Sequence, residues 1–209
     1  MYTKSRIERP EPQPLVNIVG EKVALGPMRK DLIPAYVRWY NNLHMLCSLG
    51  DPPQPLTPAQ KERWYENANT ASGSNTTFTI FEHDSARPIG ISGLYRVDFR
   101  NRTAEFAITI AEPDARGRGY GTEATRLMLD YAFTALGLHN VMLRVFAFNL
   151  AGIRTYTKAG FREFGRRREC YVMGGKTWDV IYMECLASEW QPSPVLAEVF
   201  KLDDSHSST

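Results

Sequence analysis

The residues best placed to do chemistry are Ala115-Arg116-Gly117-Arg118-Gly119-Tyr120-Gly121-Thr122. Glycines at 117, 119 and 121 admit dihedrals closed to other residues and let another molecule come close to the backbone. Arg116 and Arg118 place positive charge beside them. Successive N–H groups ahead of a helix N-terminus form a site for phosphate, and the helix dipole strengthens it. The stretch reads as a pyrophosphate cradle. The plainer alternative is a basic turn that begins a helix.

The elements on either side must hold that loop in place. Thr103–Ile110 is a strand-like run leading in through Pro113. Tyr120, Ala124, Leu127, Met128, Tyr131, Ala132 and Ala135 recur at spacings of three and four, which predicts an amphipathic helix leading out. Earlier, Val16–Leu25 reads as a bent strand. Asp31 is the expected cap of a helix from near Leu32, and Thr57-Pro58 starts a second helix. Leu43–Leu56, with Pro52, Pro53 and Pro55, cannot be one regular element. Thr76–Phe81, Ile89–Phe99 and Val141–Phe148 read as strands, and Ala151–Ala159 as a helix closed by Gly160. Phe161–Met173 and Thr177–Cys185 flank Gly174-Gly175, a hairpin signal. The order implies an α+β fold on a mixed, mostly antiparallel sheet.

Spacing narrows the nucleotide question. No Gly-x-x-x-x-Gly-Lys-Ser/Thr string is present, which excludes a P-loop. The glycines are spaced two by two, not as Gly-x-Gly-x-x-Gly, and the strands before them suggest an antiparallel meander. Arg116-x-x-Gly119-x-Gly121 resembles the acetyl-CoA loop of the GNAT superfamily of N-acetyltransferases. Asn149-Leu150-Ala151-Gly152-Ile153-Arg154-Thr155-Tyr156-Thr157-Lys158-Ala159-Gly160-Phe161 resembles the second signature of the same family. Ile18–Leu25 with Trp39, Trp64 and Trp178-Asp179 is similar to the branch holding ribosomal-protein N-terminal acetyltransferases and spermidine acetyltransferases. The resemblance runs over about residues 16–186.

That resemblance implies about seven strands flanked by about four helices. It implies acetyl-CoA as cosubstrate, with no metal, and a primary amine as acceptor, either a small molecule or a protein N-terminus. Ile108, Thr109 and Ile110 would offer main-chain groups to the pantetheine arm. Arg116, Gly117, Arg118, Gly119, Tyr120 and Gly121 would hold the pyrophosphate, and Asn149 would bond the pantetheine or thioester region. Lys158 is read as a solvated lysine, with a ribose phosphate as the alternative. Tyr156 would protonate the departing thiolate, the alternative being a packed helix tyrosine. The glutamate that some relatives place five residues before the Asn is Arg144 here. Glu105 is therefore the candidate base, against a solvent-facing strand glutamate or deprotonation through water.

The whole chain bounds the rest. Its 209 residues suit one domain, with 43% hydrophobic and 23% charged residues as in soluble globular proteins. A net charge of +2 is too small to argue for nucleic acid or a membrane, Arg166-Arg167-Arg168 notwithstanding. Cys47, Cys170 and Cys185 lack metal-ligand spacing and suit reduced thiols in a cytoplasm. The four histidines likewise suggest no metal site. Residues 1–15 are expected to be a mobile tail, 16–187 the acetyltransferase domain, and 188–209 an extension that docks or is disordered. A homodimer follows from the resemblance. The competing functional class is a regulatory module that binds acyl-CoA without turnover.

Overall fold

The computed structural model describes residues 14–49, 54–68, 75–192 and 195–196. Eight strands form one sheet in the order β1-β2-β3-β4-β5-β6-β8-β7. They are β1 Ile18–Val19, β2 Val23–Pro27, β3 Thr76–Glu82, β4 Pro88–Asp98, β5 Thr103–Ile110, β6 Asn140–Phe146, β7 Arg162–Met173 and β8 Lys176–Leu186. Every neighbouring pair is antiparallel except β5–β6. Five α-helices accompany them: α1 Ile33–Tyr40, α2 Leu43–Leu49, α3 Pro58–Ala68, α4 Tyr120–Asp130 and α5 Leu150–Ala159. The fold is the expected α+β class, with one strand and one helix more than expected.

The additions have local causes. The bent first strand is a tight hairpin, closed by Gly20 N–H donating to Val23 O at 2.9 Å. A Cβ at Gly20 would lie 2.4 Å from Glu123 Oε1, and that carboxylate accepts the Lys22 N–H at 3.0 and 3.1 Å. The hairpin is thereby tied to α4. Helix α2 forms ahead of the prolines because Asn42 Oδ1 accepts the His44 N–H at 3.0 Å, and Met45 and Leu46 are buried. Thr57 makes the expected start to α3. Its Oγ1 accepts the Gln60 N–H while Gln60 Oε1 accepts the Thr57 N–H at 2.8 Å, a reciprocal capping box. Asp31 caps nothing: it sits in a 3-10 turn, Lys30–Leu32, bound by Arg29, and α1 starts without a side-chain cap.

Alternation along the strands loads the two faces of the sheet differently. On one face Ile80, Leu94, Phe106, Val141, Leu143, Ile181 and Met183 bury against Leu127 and Met128 of α4. On the other, Ile91 and Ala111 meet Tyr36 and Trp39 of α1 and Met45 and Leu46 of α2. Beyond β8 the chain docks where it is described. Trp190 Nε1 donates to Asp130 Oδ1 at 2.7 Å, and Leu196 is buried in the larger core. Residues 1–13 of the expected tail and 197–209 of the extension lie outside the described residues.

Candidate active site

The site begins where the sheet comes apart. Strands β5 and β6 pair only at Thr103↔Asn140, Ala104↔Val141 and Glu105↔Met142. Past those pairs β5 continues to Ile110 and β6 to Phe146 with no ladder between them. On its other edge β5 stays paired, with Ile108 opposite Ser92 and Ile110 opposite Gly90. The edge facing β6 therefore presents main-chain N–H and C=O groups without strand partners. A cavity of about 760 Å³ fills the splay, lined by Ile108, Thr109 and Ile110 among others.

At one end lies the glycine loop. Gly117 and Gly119 have φ of +75° and +86°, the left-handed region that other residues enter at a cost. Gly119 is the N-cap of α4, and no side chain caps this helix. The first helical bond runs from Glu123 N to Gly119 O, so the N–H groups of residues 120–122 precede the ladder as open donors. A Cβ at Gly121 would stand 3.5 Å from Thr155 Cγ2 and 3.6 Å from Ile110 Cγ1, within the cavity wall. Arg116 lines the cavity, with two of its guanidinium nitrogens engaged by the chain. Its Nε donates to Ile110 O at 3.0 Å and its Nη2 to Ala111 O at 3.2 Å, fixing the end of β5. The side chains of Arg118 and Tyr120 turn away. Both reach Glu82 on β3, Tyr120 Oη at 2.8 Å and Arg118 Nη1 at 3.5 Å. Hydrogen bonds from Ser85 and Tyr120 hold the Glu82 carboxyl below its usual range. Neither Arg118 nor Tyr120 lines the cavity.

Helix α5 supplies the opposite wall. Asn149 caps it, with Oδ1 accepting the Gly152 N–H at 2.9 Å. The amide group crowds Gly152, where a Cβ would lie 2.7 Å from Nδ2, so only glycine fits there. Since Oδ1 serves the cap, the Nδ2 donors remain for a ligand in the cavity that Asn149 lines. Two turns on, Tyr156 also lines it, with Phe106 and Phe161 edge-on at ring distances of 6.3 and 6.1 Å. Burial pushes the Tyr156 hydroxyl up to about 12, so it stays protonated through the physiological range.

The structure places Lys158, weighed above for a ribose phosphate, at the cavity and adds lining residues that motif spacing misses. Arg154 and Lys158, four apart on α5, are exposed cations at the cavity. Thr122 and Thr155 face it from α4 and α5. His44, Met45, Cys47 and Ser48 of α2 also line it, as do Phe148 and Met173. His44 and Cys47 are one turn apart, a juxtaposition that a search for metal spacing passes over. Among the described residues no cluster could hold a metal ion, and no helix is long and apolar enough to cross a membrane.

Glu105 stands apart from this cavity. It lines a separate depression of about 310 Å³ with Asn75, Tyr95, Arg96, Ala107 and Arg144. Arg96 Nη1 donates to Glu105 Oε2, and Arg144 Nε donates to Glu105 Oε1 at 2.7 Å. The residue is ion-paired on both oxygens, not solvent-facing.

An acetyltransferase (GNAT) domain model matches residues 22–162. A spermidine N(1)-acetyltransferase of Vibrio cholerae serotype O1 is 35% identical over 111 residues, 53% of this chain and 64% of that protein. Human alpha/beta-tubulin-N-acetyltransferase 9 is 29% identical over 160 residues, 70% of this chain and 75% of that one. The crystal structure of the Vibrio cholerae spermidine N-acetyltransferase in complex with CoA and spermine superposes with a TM-score of 0.74 at 25% identity. It covers 80% of this chain and 97% of that one.

Proposed function

Because the chain belongs to the GNAT acetyltransferases, we propose that it transfers the acetyl group of acetyl-CoA directly to a primary amine, both held in one ternary complex. The observation that carries this reading is the splay between β5 and β6, with an uncapped helix N-terminus at one end and the protonated Tyr156 hydroxyl inside. Open N–H donors at residues 120–122 suit the pyrophosphate, without the side chains of Arg118 and Tyr120. Arg154 and Lys158 add positive charge for further phosphate. The free edge of Ile108–Ile110 runs beside the pantetheine arm, and Asn149 Nδ2 donates to it.

In the transfer, the amine nitrogen bonds to the thioester carbonyl carbon and the carbon–sulfur bond breaks. An N–H of the splayed strand near Ile110 stabilises the oxyanion. Tyr156 gives its proton to the leaving sulfur and regains one shed by the new amide nitrogen. A free thiol titrates near ~8.5, well below this phenol, so the proton passes to sulfur only in concert with the return of the nitrogen proton to the phenol oxygen. Proximity of the two substrates supplies the rest, and no covalent enzyme intermediate is needed. The amine loses its first proton to water in the cavity, with Glu105 one depression away serving as an ion-paired anchor. The three cysteines are unpaired, which suits the proposed cytoplasmic setting. Self-association belongs to the same reading: β7 is a 12-residue edge strand with Phe164 and Val172 exposed.

The test is release of free thiol from acetyl-CoA over a panel of amines. Tyr156→Phe is expected to keep acetyl-CoA affinity and lower turnover by about ten- to a thousandfold. Unchanged turnover removes Tyr156 from the mechanism. Binding of acetyl-CoA by calorimetry with no thiol release on any amine turns the reading to a regulatory module that binds without turnover.

A further inference from the structure

The acceptor side of the site carries a charge pattern with a consequence for the substrate. Among the described residues lining the main cavity there is no Asp or Glu. Glu105, Ala107 and Thr109 lie on one face of β5, and Ala107 of the depression is two residues from Thr109 of the cavity. Arg144 lies two residues past the last β5–β6 pair, across the opening splay from Ala107. The depression holds one carboxylate against two guanidiniums and keeps one positive charge.

The arginines are placed, and their donors are not exhausted. Arg96 sits at φ +51°, at an irregularity in the β4–β5 register, with its N–H donating to Asn75 Oδ1 at 3.0 Å. Each guanidinium gives a side-chain hydrogen bond to Glu105, out of five N–H donors. The side chains of Arg96 and Arg144 are 75% and 53% exposed, whereas that of Glu105 is 16% exposed. Glu105 thus engages two forks that line the depression with donors to spare, chemistry suited to a planar carboxylate.

We propose that the acceptor is a primary amine that also bears a carboxylate, and that Arg144 and Arg96 hold the carboxylate while the amine enters the splay. This rests on the N-acetyltransferase reading above and names its substrate class. Strand geometry sets the separation: one two-residue step along β5 is about 7 Å, so the carboxylate lies several bonds from the amine. A polyamine would meet a guanidinium pair where it needs an anion. Glu105 is then a positioning residue, and its negative charge tempers the affinity of the pair.

The experiment compares acceptors that differ only in the carboxylate. Initial rates with acetyl-CoA are measured for 4-aminobutyrate, propylamine and spermidine, and for glutamate and a tripeptide with an acidic second residue. The last two arms distinguish a free amino acid from a peptide N-terminus. Expected is a kcat/KM for 4-aminobutyrate at least tenfold above that for propylamine. Arg144→Gln brings this ratio toward one through KM, and Arg144→Lys, which keeps the charge without the fork, gives an intermediate ratio. Glu105→Gln raises the ratio by removing the competing anion. Calorimetric acetyl-CoA affinity for each variant shows that it has folded.

Spermidine or propylamine matching 4-aminobutyrate overturns the proposal and leaves the acetyltransferase reading standing. So does a ratio insensitive to Arg144→Gln. A tenfold fall in kcat on both acceptors for Glu105→Gln, with the ratio intact, makes Glu105 the base and overturns its positioning role. No acetylation of any amine by a protein that binds acetyl-CoA takes both readings down.

Discussion

Two helices begin at the same cavity and begin differently. Helix α4 starts at a left-handed glycine with no side chain satisfying its first N–H groups. Helix α5 starts at Asn149, whose Oδ1 takes the Gly152 N–H. An uncapped helix end leaves favourable energy unrealised, on the order of 1 kcal/mol, unless a ligand supplies the acceptor. The capped end fixes a side chain at the cavity wall instead. The difference separates a terminus that leaves its N–H donors open from one that fixes a side chain at the wall. Both sit on the face of the sheet that holds the larger core, so neither can drift.

The largest effect expected from breaking this contrast is at Gly121. Gly121→Ala adds a methyl with ordinary van der Waals room, and its φ is not in the left-handed region, so the fold is retained. The methyl narrows the cavity beside the open donors, against Thr155 and Ile110. Acetyl-CoA affinity is expected to fall about ten- to a hundredfold, roughly 1.4–2.7 kcal/mol, with an unchanged or higher Tm. Calorimetry and thermal unfolding read the two quantities separately. Equal affinity would place the anion elsewhere.

A smaller effect sharpens the other end. Asn149→Ala removes cap and donor together, costing about 1 kcal/mol of stability and lowering kcat/KM for acetyl-CoA. Asn149→Asp keeps an acceptor for the Gly152 N–H but has no Nδ2, so stability is expected to survive while kcat/KM falls about tenfold. Denaturant midpoints and steady-state rates for the pair decide it. If Asn149→Asp acts like wild type in rate, the amide serves the helix alone.

The smallest effect is in alkali. Burial raises Tyr156 to about 12 and Cys185 to about 11. The unfolded chain releases these protons at lower pH than the folded one, so stability is full below the unfolded values. It falls as pH climbs through roughly 9 to 12. Tyr156→Phe is expected to spare about 1 kcal/mol of that loss near pH 10.5, and Cys185→Ala somewhat more after correction for its cavity. Urea midpoints at pH 8 and 10.5 measure it. Parallel losses in wild type and Tyr156→Phe would mean that the hydroxyl is not buried in solution.

Local sequence reached the glycine loop and the start of α5 because their physics is local. Gly117 and Gly119 need left-handed dihedrals, Asn149 caps its own helix, and Thr57 and Gln60 cap theirs within four residues. Each is read from neighbours a turn away. The expectation for Asp31 misses because Arg29, two residues back, takes the carboxylate. Arg118 and Tyr120 show the limit of the loop pattern, since Glu82, far off in sequence on β3, draws both side chains from the cavity.

What the sequence alone determined is therefore the α+β order, the glycine loop and the cap of α5, all set by backbone chemistry over short spans. Tertiary structure decided the cluster of two arginines on one glutamate. Arg96, Glu105 and Arg144 come from three strands and meet only because β5 and β6 pair for three residues and then part. A side chain's partners across a sheet depend on register, and register is fixed by packing of the whole core, not by any neighbouring residue.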